Sequence, residues 1–532
     1  MQRTSGFATM LLAAVLGLAA TAPARAETVL RIDETAPGEI DPAKAAKAID
    51  SVLLYNIYDT LLLPGPGGVG IAPHLAESYT GDGTTFTFKL RPGVKFHSGN
   101  EVTADDVVFS LNRLLAIGSG FSPLFRGWVK QAEALDPATV RITLTGNYAP
   151  FLAATFRLGI VDKKTVMANL KDGPFGEFKD YGQAWLNTHD AGSGAYRVVA
   201  QTPMTETTLE KFPGYFLGVP EKAPDKVHAS YGLEAPTELA LMRRGELDVM
   251  MQWASPETKR SAMQIKGVSV VGESGIAQLF INLNTKKPPL DDVHCRRAIG
   301  AALDYDALIG QANITPEIHG AKPSKGPLVE GMLGYDPSVP DYTRDMAKAK
   351  AELAQCKYQP AEHEIEIIWV AEVPLEERFA LLMQQNWGEL GFRTKITRMP
   401  NVSFFQAATK VETTPNVMQL FYNARTPDPD AYLFNAYHSS SVGQYAAAQW
   451  LQDPEVDALI NQGRSTVDPA AREQIYRKIV LKIRDLQPTI FGYQIINTYA
   501  KSDRVDIPAL EDPAKNTHMM GMNLMFRRVE MK

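Results

Sequence analysis

No Pro/Ser-rich linker interrupts this chain, although its 532 residues are about twice what one hydrophobic core supports. Strand-like and helix-like stretches alternate instead along its whole length. Residues 30–36 (LRIDETA), 139–145 (TVRITLT), YRVVAQ from Tyr196 and TTLEKF from Thr207 read as strands, and a helix is expected over Ala43 to Leu54 behind Asp41-Pro42. Further helices are expected at Pro236 to Arg244, Met346 to Gln355, Leu375 to Leu390 and Pro469 to Arg484. Such an order predicts an α/β fold of open mixed sheets covered by helices. Without a linker, the domains are expected to be joined by more than one crossing.

The first 26 residues combine Arg3, an apolar run from about Phe7 to Ala20, and the small-x-small ending Ala24-Arg25-Ala26. This is the pattern of a secretory signal peptide cleaved after Ala26, and it predicts export to the periplasm. Removing it from 532 residues leaves 506, and taking Arg3 and Arg25 from 54 basic side chains leaves 52 against 60 acidic. A mildly acidic balance speaks against nucleic-acid binding. The two cysteines, Cys295 and Cys356, fall in helix-like segments of a compartment that permits a disulfide, and whether they pair depends on geometry.

The stretch GVKFHSGNEVTADDVVFSLNRL, residues 93–114, gathers His97, Glu101, Asp105 and Asp106. The preceding TTFTFKLRPGVKF alternates apolar and polar side chains about Pro92-Gly93, which reads as a β-hairpin. Thr103 with Asp106 three positions on reads as a helix N-terminus, with Asp105 and Asp106 at the positive end of the dipole. His97 beside Ser98-Gly99 lacks a second ligand at helical spacing. The cluster is therefore expected to be scaffolding.

At these residues the chain resembles the extracellular solute-binding proteins of family 5, the dipeptide and oligopeptide binders of ABC importers. FTFKLRPGVKFHSGNEVTADDVVFSLNRL is similar to that family's signature, and Asp41-Pro42, Tyr58-Asp59-Thr60-Leu61, SGAYRVV at 193–199, ALMRRGELDVM at 240–250, NLNTKKPPLDDVHCRRAIGAALDYDALI at 282–309 and DPEVDALI at 453–460 follow in order. The resemblance implies a periplasmic-binding-protein-like fold, with two lobes and an inserted domain. Lobe I would take 27–59, 194–282 and 497–532, the insert 60–193, and lobe III 283–496. It also implies a monomeric receptor that captures a peptide or peptide-like solute between its lobes and hands it to a membrane permease, with no cofactor.

The segment QLFYNARTPDPDAYLFNAYHSS, residues 419–440, carries the main candidate site. Pro427 and Pro429 forbid regular helix, so Phe421 to Arg425 should be extended and end in a rigid turn. In peptide-binding relatives, the residue two before such a run is an aspartate that pairs with the ligand's α-amino group, and here that position is Arg425. A guanidinium suits carboxylate or phosphate, so the solute is expected to be anionic at that end. An alternative pairs Arg425 internally with Asp428 or Asp430. The carboxylate-binding arginine of dipeptide binders is absent from IIWVAEVP (367–374), which favours an opine, an acidic or modified oligopeptide, or a sugar-phosphate conjugate. Phe421, Tyr422, Asn423, Asp428, Trp253, Phe121, Phe125 and Trp128 complete the candidate ligand contacts.

Other motifs lead away from chemistry. Gly65 to Gly70 matches G-x-G-x-x-G, but Pro66 and the following Ile71-Ala72-Pro73 leave no helix to receive a phosphate, so a hairpin loop is expected. His518 to Met525 offers thioethers that suit copper(I), though a packed terminal strand is the commoner use of such methionines. Nickel or haem remains an alternative ligand within the family. For a secreted hydrolase, the remote alternative, the chain offers no G-x-S-x-G, H-E-x-x-H or G-x-x-x-x-G-K-[ST] motif, and no enzyme activity is expected.

Overall fold

Two long strands, Val268–Leu283 and Thr489–Ser502, run antiparallel along each other from the pair Val268–Ser502 to the pair Asn282–Thr489. At roughly 3.3 Å per residue the longer one reaches about 50 Å, enough to pass from one lobe into the other. The register breaks between Ser274 and Gln278 and again before Phe280, so the ribbon bends there. This computed structural model describes residues 27–35, 37, 39–45, 50–65, 70–511 and 524–532. The leader (1–26), residues 66–69 of the glycine-rich loop, and most of the methionine run (518–523) lie outside the described residues.

At one end the ribbon joins a four-stranded sheet. Val29–Glu34 pairs in parallel with Lys226–Tyr231, which continues antiparallel to Glu206–Lys211 and Tyr196–Thr202. Bridges from Ile32 to Val249 and from Val249 to Lys501 tie that sheet to the ribbon. At the other end the ribbon is the middle of a six-stranded mixed sheet with Ala321–Lys322, Val417–Asn423, Glu364–Val370 and Arg393–Met399. Apolar cores cover both faces of this sheet. One is built around Phe280, Tyr432 and Ile479, the other around Leu279, Phe379 and Trp387. A third sheet, Ala76–Gly81, Thr85–Leu90, Thr139–Leu144 and Val129–Asp136, is wholly antiparallel and packs its own core against the helix Ala104–Ile117. The result is an α/β fold of two lobes with mixed sheets, as expected. No helix among the described residues is long and apolar enough to cross a membrane.

Several local expectations change. Thr85–Leu90 does not fold back at Pro92-Gly93. It pairs with the preceding strand across Asp82-Gly83, where the Asp82 carboxylate accepts the Thr84 and Thr85 N–H groups at 2.8 and 2.7 Å. Pro92 has no N–H to donate and Gly93 takes φ +71°, so the chain turns into a short second hairpin that pairs Lys95 with Glu101. The helix expected from Ala43 is observed over Ser51–Ile57. Asp41 is instead held by both amino groups of Arg113 at 2.6 Å. Leu62–Pro64 and Ile71–Pro73 pair antiparallel around the glycine-rich loop, the hairpin that was expected.

The opening cluster is scaffolding. The Asp106 carboxylate accepts both the N–H and the hydroxyl of Thr103, at 2.9 and 2.7 Å, and the Lys163 N–H at 2.9 Å. His97 is buried between Asp190 (Nδ1 to Oδ1, 2.5 Å) and the Gly194 carbonyl (Nε2, 2.9 Å), pinning the inserted sheet to the segment that leads into the first sheet. Cys295 and Cys356 form a disulfide with Cα atoms 4.9 Å apart. It clips the helix Val293–Ala302 to the end of the helix Met346–Leu353.

Candidate ligand cleft

A cleft of about 680 Å³ opens beside the ribbon. One wall is the turn and helix after Met251, with Trp253, Pro256 and Glu257. The other is Val373, Leu375, Arg378 and Phe421, and Tyr493, Ile495, Asn497 and Thr498 of the ribbon form the floor. Ser255 accepts the Thr258 N–H at 3.1 Å and Pro256 opens the helix Pro256–Met263, fixing how Trp253 approaches. Trp253 remains 48% exposed, an unusually bare indole for a side chain set in a concavity. Opposite it, Phe421 leans on Phe379 and Tyr493 with ring centroids 6.4 and 6.3 Å away. Two aromatic faces with polar groups between them suit a solute with an apolar body and a few hydrogen-bonding groups.

The strand carrying Phe421 explains its neighbours. From Phe421 to Arg425 the residues alternate half-buried and buried, so Phe421 and Asn423 share one side of the strand while Tyr422 and Ala424 enter the core; Arg425 lies beyond the strand's last residue, and of the three half-buried residues Phe421 lines the cleft whereas Asn423 and Arg425 do not. Tyr422 packs 5.3 Å from Phe280 and donates its hydroxyl to the Ala431 carbonyl at 2.6 Å, which commits it to the core. The internal-pairing alternative for Arg425 fails. Asp428 is gripped by Arg472 through two bonds of 2.7 and 2.8 Å, and Asp430 by Arg464 at 2.9 Å. Asp428 is thus part of the platform. Among the described residues, no carboxylate lies within ion-pair distance of Arg425.

The aromatic loop after residue 117 does not reach the cleft lined by Trp253 and Phe421. Phe125 is fully buried in the core of the inserted sheet. Trp128 stacks flat on Tyr148 with centroids 4.1 Å apart and lies under the Arg464 guanidinium at 5.2 Å, packing it against the helix Pro454–Ser465. Phe121 is buried under Arg157, whose guanidinium sits 4.5 Å from its ring centroid, and Arg157 donates to the Arg425 carbonyl at 2.6 Å.

Sequence reasoning missed the polar rim. Arg378 stands one turn inside the helix Leu375–Gly388, just beyond the stretch searched for an arginine, and it lines the cleft. Its Nη1 donates to Glu257 Oε1 at 2.8 Å across the cleft, and Glu257 also receives Arg260 at 2.7 Å. The hydrogen bond from Arg378, aided by the charges of Arg378 and Arg260, holds the Glu257 carboxyl below its usual range. Lys259 lines the floor, donating to the Gln252 carbonyl at 2.7 Å and to Thr498 Oγ1 at 2.8 Å. Behind it lie Asp33, Glu34 and Glu238, all buried, with Asp33 Oδ2 and Glu34 Oε1 meeting no hydrogen-bond partner among the described residues. Burial pushes Glu34 up to about 8 and Lys259 down to about 7. The spacing of these residues carries no motif, since the ribbon alone brings them together.

Residues 70–444 match the model of the bacterial extracellular solute-binding proteins, family 5. The chain is 28% identical over 462 residues to the heme-binding protein A of Haemophilus influenzae, covering 82% of this chain and 81% of that one. It is 27% identical over 511 residues to the dipeptide-binding protein of Escherichia coli, covering 90% and 91%. The solved ABC transporter substrate-binding protein CtaP of Listeria monocytogenes shares the fold with a TM-score of 0.81 at 23% identity, over 95% of this chain and 99% of that one. With most of its length matched, the chain belongs to the bacterial extracellular solute-binding proteins of family 5.

Proposed function

We propose that this chain is the solute-capturing receptor of an ABC importer, exported to the periplasm after cleavage behind Ala26. It holds a peptide or peptide-like solute between Trp253 and Phe421 with an anionic group directed at Arg425, and delivers it unchanged to a membrane permease. The observation that carries the ligand reading is Arg425 itself. It lies two residues beyond the end of the strand that carries Phe421, and both nearby aspartates are already spent on Arg472 and Arg464. A guanidinium with no carboxylate at ion-pair distance among the described residues favours an anion supplied from outside. The names of the relatives, haem-binding in one case and dipeptide-binding in the other, widen the panel to be tried. The division into lobe I (27–59, 194–282, 497–532), insert (60–193) and lobe III (283–496) belongs to the same proposal. Bending of the ribbon near Ser274 and Gln278 would let the lobes close as rigid bodies.

A thermal-shift screen of dipeptides, acidic oligopeptides, opines, sugar phosphates and haem tests the reading. A solute at 100 times its Kd stabilises the folded state by about 2.7 kcal/mol, a visible rise in Tm. The expected hits carry an anionic group, lose their effect in Arg425→Met, and are recovered chemically unchanged. Hits confined to neutral or cationic solutes, or turnover of any of them, would contradict it.

A further inference from the structure

The two walls of the cleft are joined across it by charge. Arg378 Nη1, on the helix Leu375–Gly388, donates to Glu257 Oε1 on the helix Pro256–Met263 at 2.8 Å. The same carboxylate oxygen is held from its own helix by Arg260 Nη2 at 2.7 Å. Arg260 in turn donates Nη1 to the Ile314 carbonyl at 2.9 Å and to the Asn313 carbonyl at 3.3 Å. Glu257, Arg378 and Ile314 all line the cleft. One turn of the helix Pro256–Met263 therefore grips two other segments of the lining, one through Glu257 and one through Arg260.

This grip stands on the solvent side of the cleft. The Glu257 and Arg378 side chains are 44% and 48% exposed, whereas Tyr493 and Asn497 of the floor are buried. Among the described residues Glu257 is the one ion-pair partner of Arg378. When Arg378 leaves, Glu257 keeps Arg260 and Arg378 enters water, so release strands no charge in the interior. A brace is built differently in this chain, as the buried pair of Arg472 and Asp428 shows. A half-wet pair across a cleft is weak enough to break and re-form without unfolding anything around it.

We infer that Glu257, Arg260 and Arg378 form a strap that holds the cleft closed without solute, and that release of Arg378 from Glu257 is the step that admits one. The inference rests on the cleft between Trp253 and Phe421 as the solute site, and adds to that reading what controls its access. The strap biases closure without locking it: an exposed pair shifts a closed-to-open ratio by up to about fivefold.

The test reads the distance between the two helices in the absence of solute. Nitroxide labels at Gln264→Cys and Gln385→Cys sit at exposed positions of the two walls, and the native disulfide stays intact and leaves no other thiol. Double electron–electron resonance on the full chain, dialysed free of solute at low salt, should show mainly the short distance. Glu257→Arg gathers three guanidinium groups at the strap and should populate a longer distance, and Glu257→Arg with Arg378→Glu should restore the short one. Unchanged distances in Glu257→Arg, or a double variant as open as the single one, overturn the inference. Should Glu257→Arg fail to fold, Arg378→Gln removes only the cation; a rise of the open population by up to about fivefold upholds the strap, and an unchanged population overturns it. Because no solute is present, unchanged distances sink the strap without touching the reading of Arg425. Normal solute binding by Arg425→Met would sink that reading without touching the strap.

Discussion

Replacing Asp428 by asparagine tests whether the turn after Arg425 is a ligand contact or a support. Arg472 donates Nη1 to Asp428 Oδ2 at 2.7 Å and Nη2 to Oδ1 at 2.8 Å, with both side chains about 8% exposed. The remaining bonds of Arg472 go to neutral groups, the Gly463 carbonyl at 2.9 Å and the Tyr476 hydroxyl at 2.7 Å. Asparagine keeps the shape but leaves a buried guanidinium with no formal counter-charge at that contact. Breaking a buried pair from one side costs about 3–5 kcal/mol. The amide oxygen of the new side chain can still accept one bond, which places the expected loss near the lower end, about 3 kcal/mol. Urea unfolding followed by circular dichroism measures it as a lower midpoint at constant m-value. The affinity of the folded protein for its solute should fall by no more than a few fold, since the carboxylate faces Arg472. Unchanged stability with abolished binding would refute the reasoning and return Asp428 to the ligand site.

Further outcomes are expected elsewhere. The disulfide closes a segment with a sequence separation of 61 residues, so reduction or the Cys295→Ser/Cys356→Ser pair should cost about 4 kcal/mol by loop-closure entropy, read by denaturant titration with and without a dithiol. Glu34 is held protonated by burial with its pKa pushed up to about 8; its stabilising share is present below the unfolded value near 4.5 and lost as pH rises through 8. Glu34→Gln should therefore gain on the wild type by up to about 1.4 kcal/mol per pH unit across that window, and parallel pH–stability curves would contradict this. Glu257→Gln removes a half-exposed contact to Arg378 and should change stability by less than about 1 kcal/mol, while making solute affinity less sensitive to salt. Trp253, being exposed in the cleft, should dominate the change in tryptophan emission on solute binding, and Trp253→Phe should erase most of that signal.

The legible parts of the chain were those set by local periodicity. The helices at Met346, Leu375 and Pro469 and the strands at 139–145 and 196–202 appear within a few residues of their expected bounds, because an amphipathic stripe fixes both element and face. Motif order made the family legible as well. Pro92-Gly93 misled because a Pro-Gly turn signals a reversal without naming the partner strand, and the partner was chosen by Asp82. In the cleft, Phe421 and Trp253 were readable from an extended segment and a strand edge, whereas Tyr422, Asp428 and Trp128 were not separable from core and platform by sequence. Each is decided by a residue far along the chain, Phe280, Arg472 and Arg464 in turn. Arg157 and Arg378 escaped for the same reason, since which charges an arginine meets is settled only in three dimensions.

The most direct measurement of the central claim is the difference density from crystals grown with the strongest acidic solute of the screen. The account predicts one intact molecule lying between Trp253 and Phe421, with its anionic group within hydrogen-bond distance of the Arg425 guanidinium. Solute bound away from that cleft, or seated in it with its charge turned from Arg425, would contradict it.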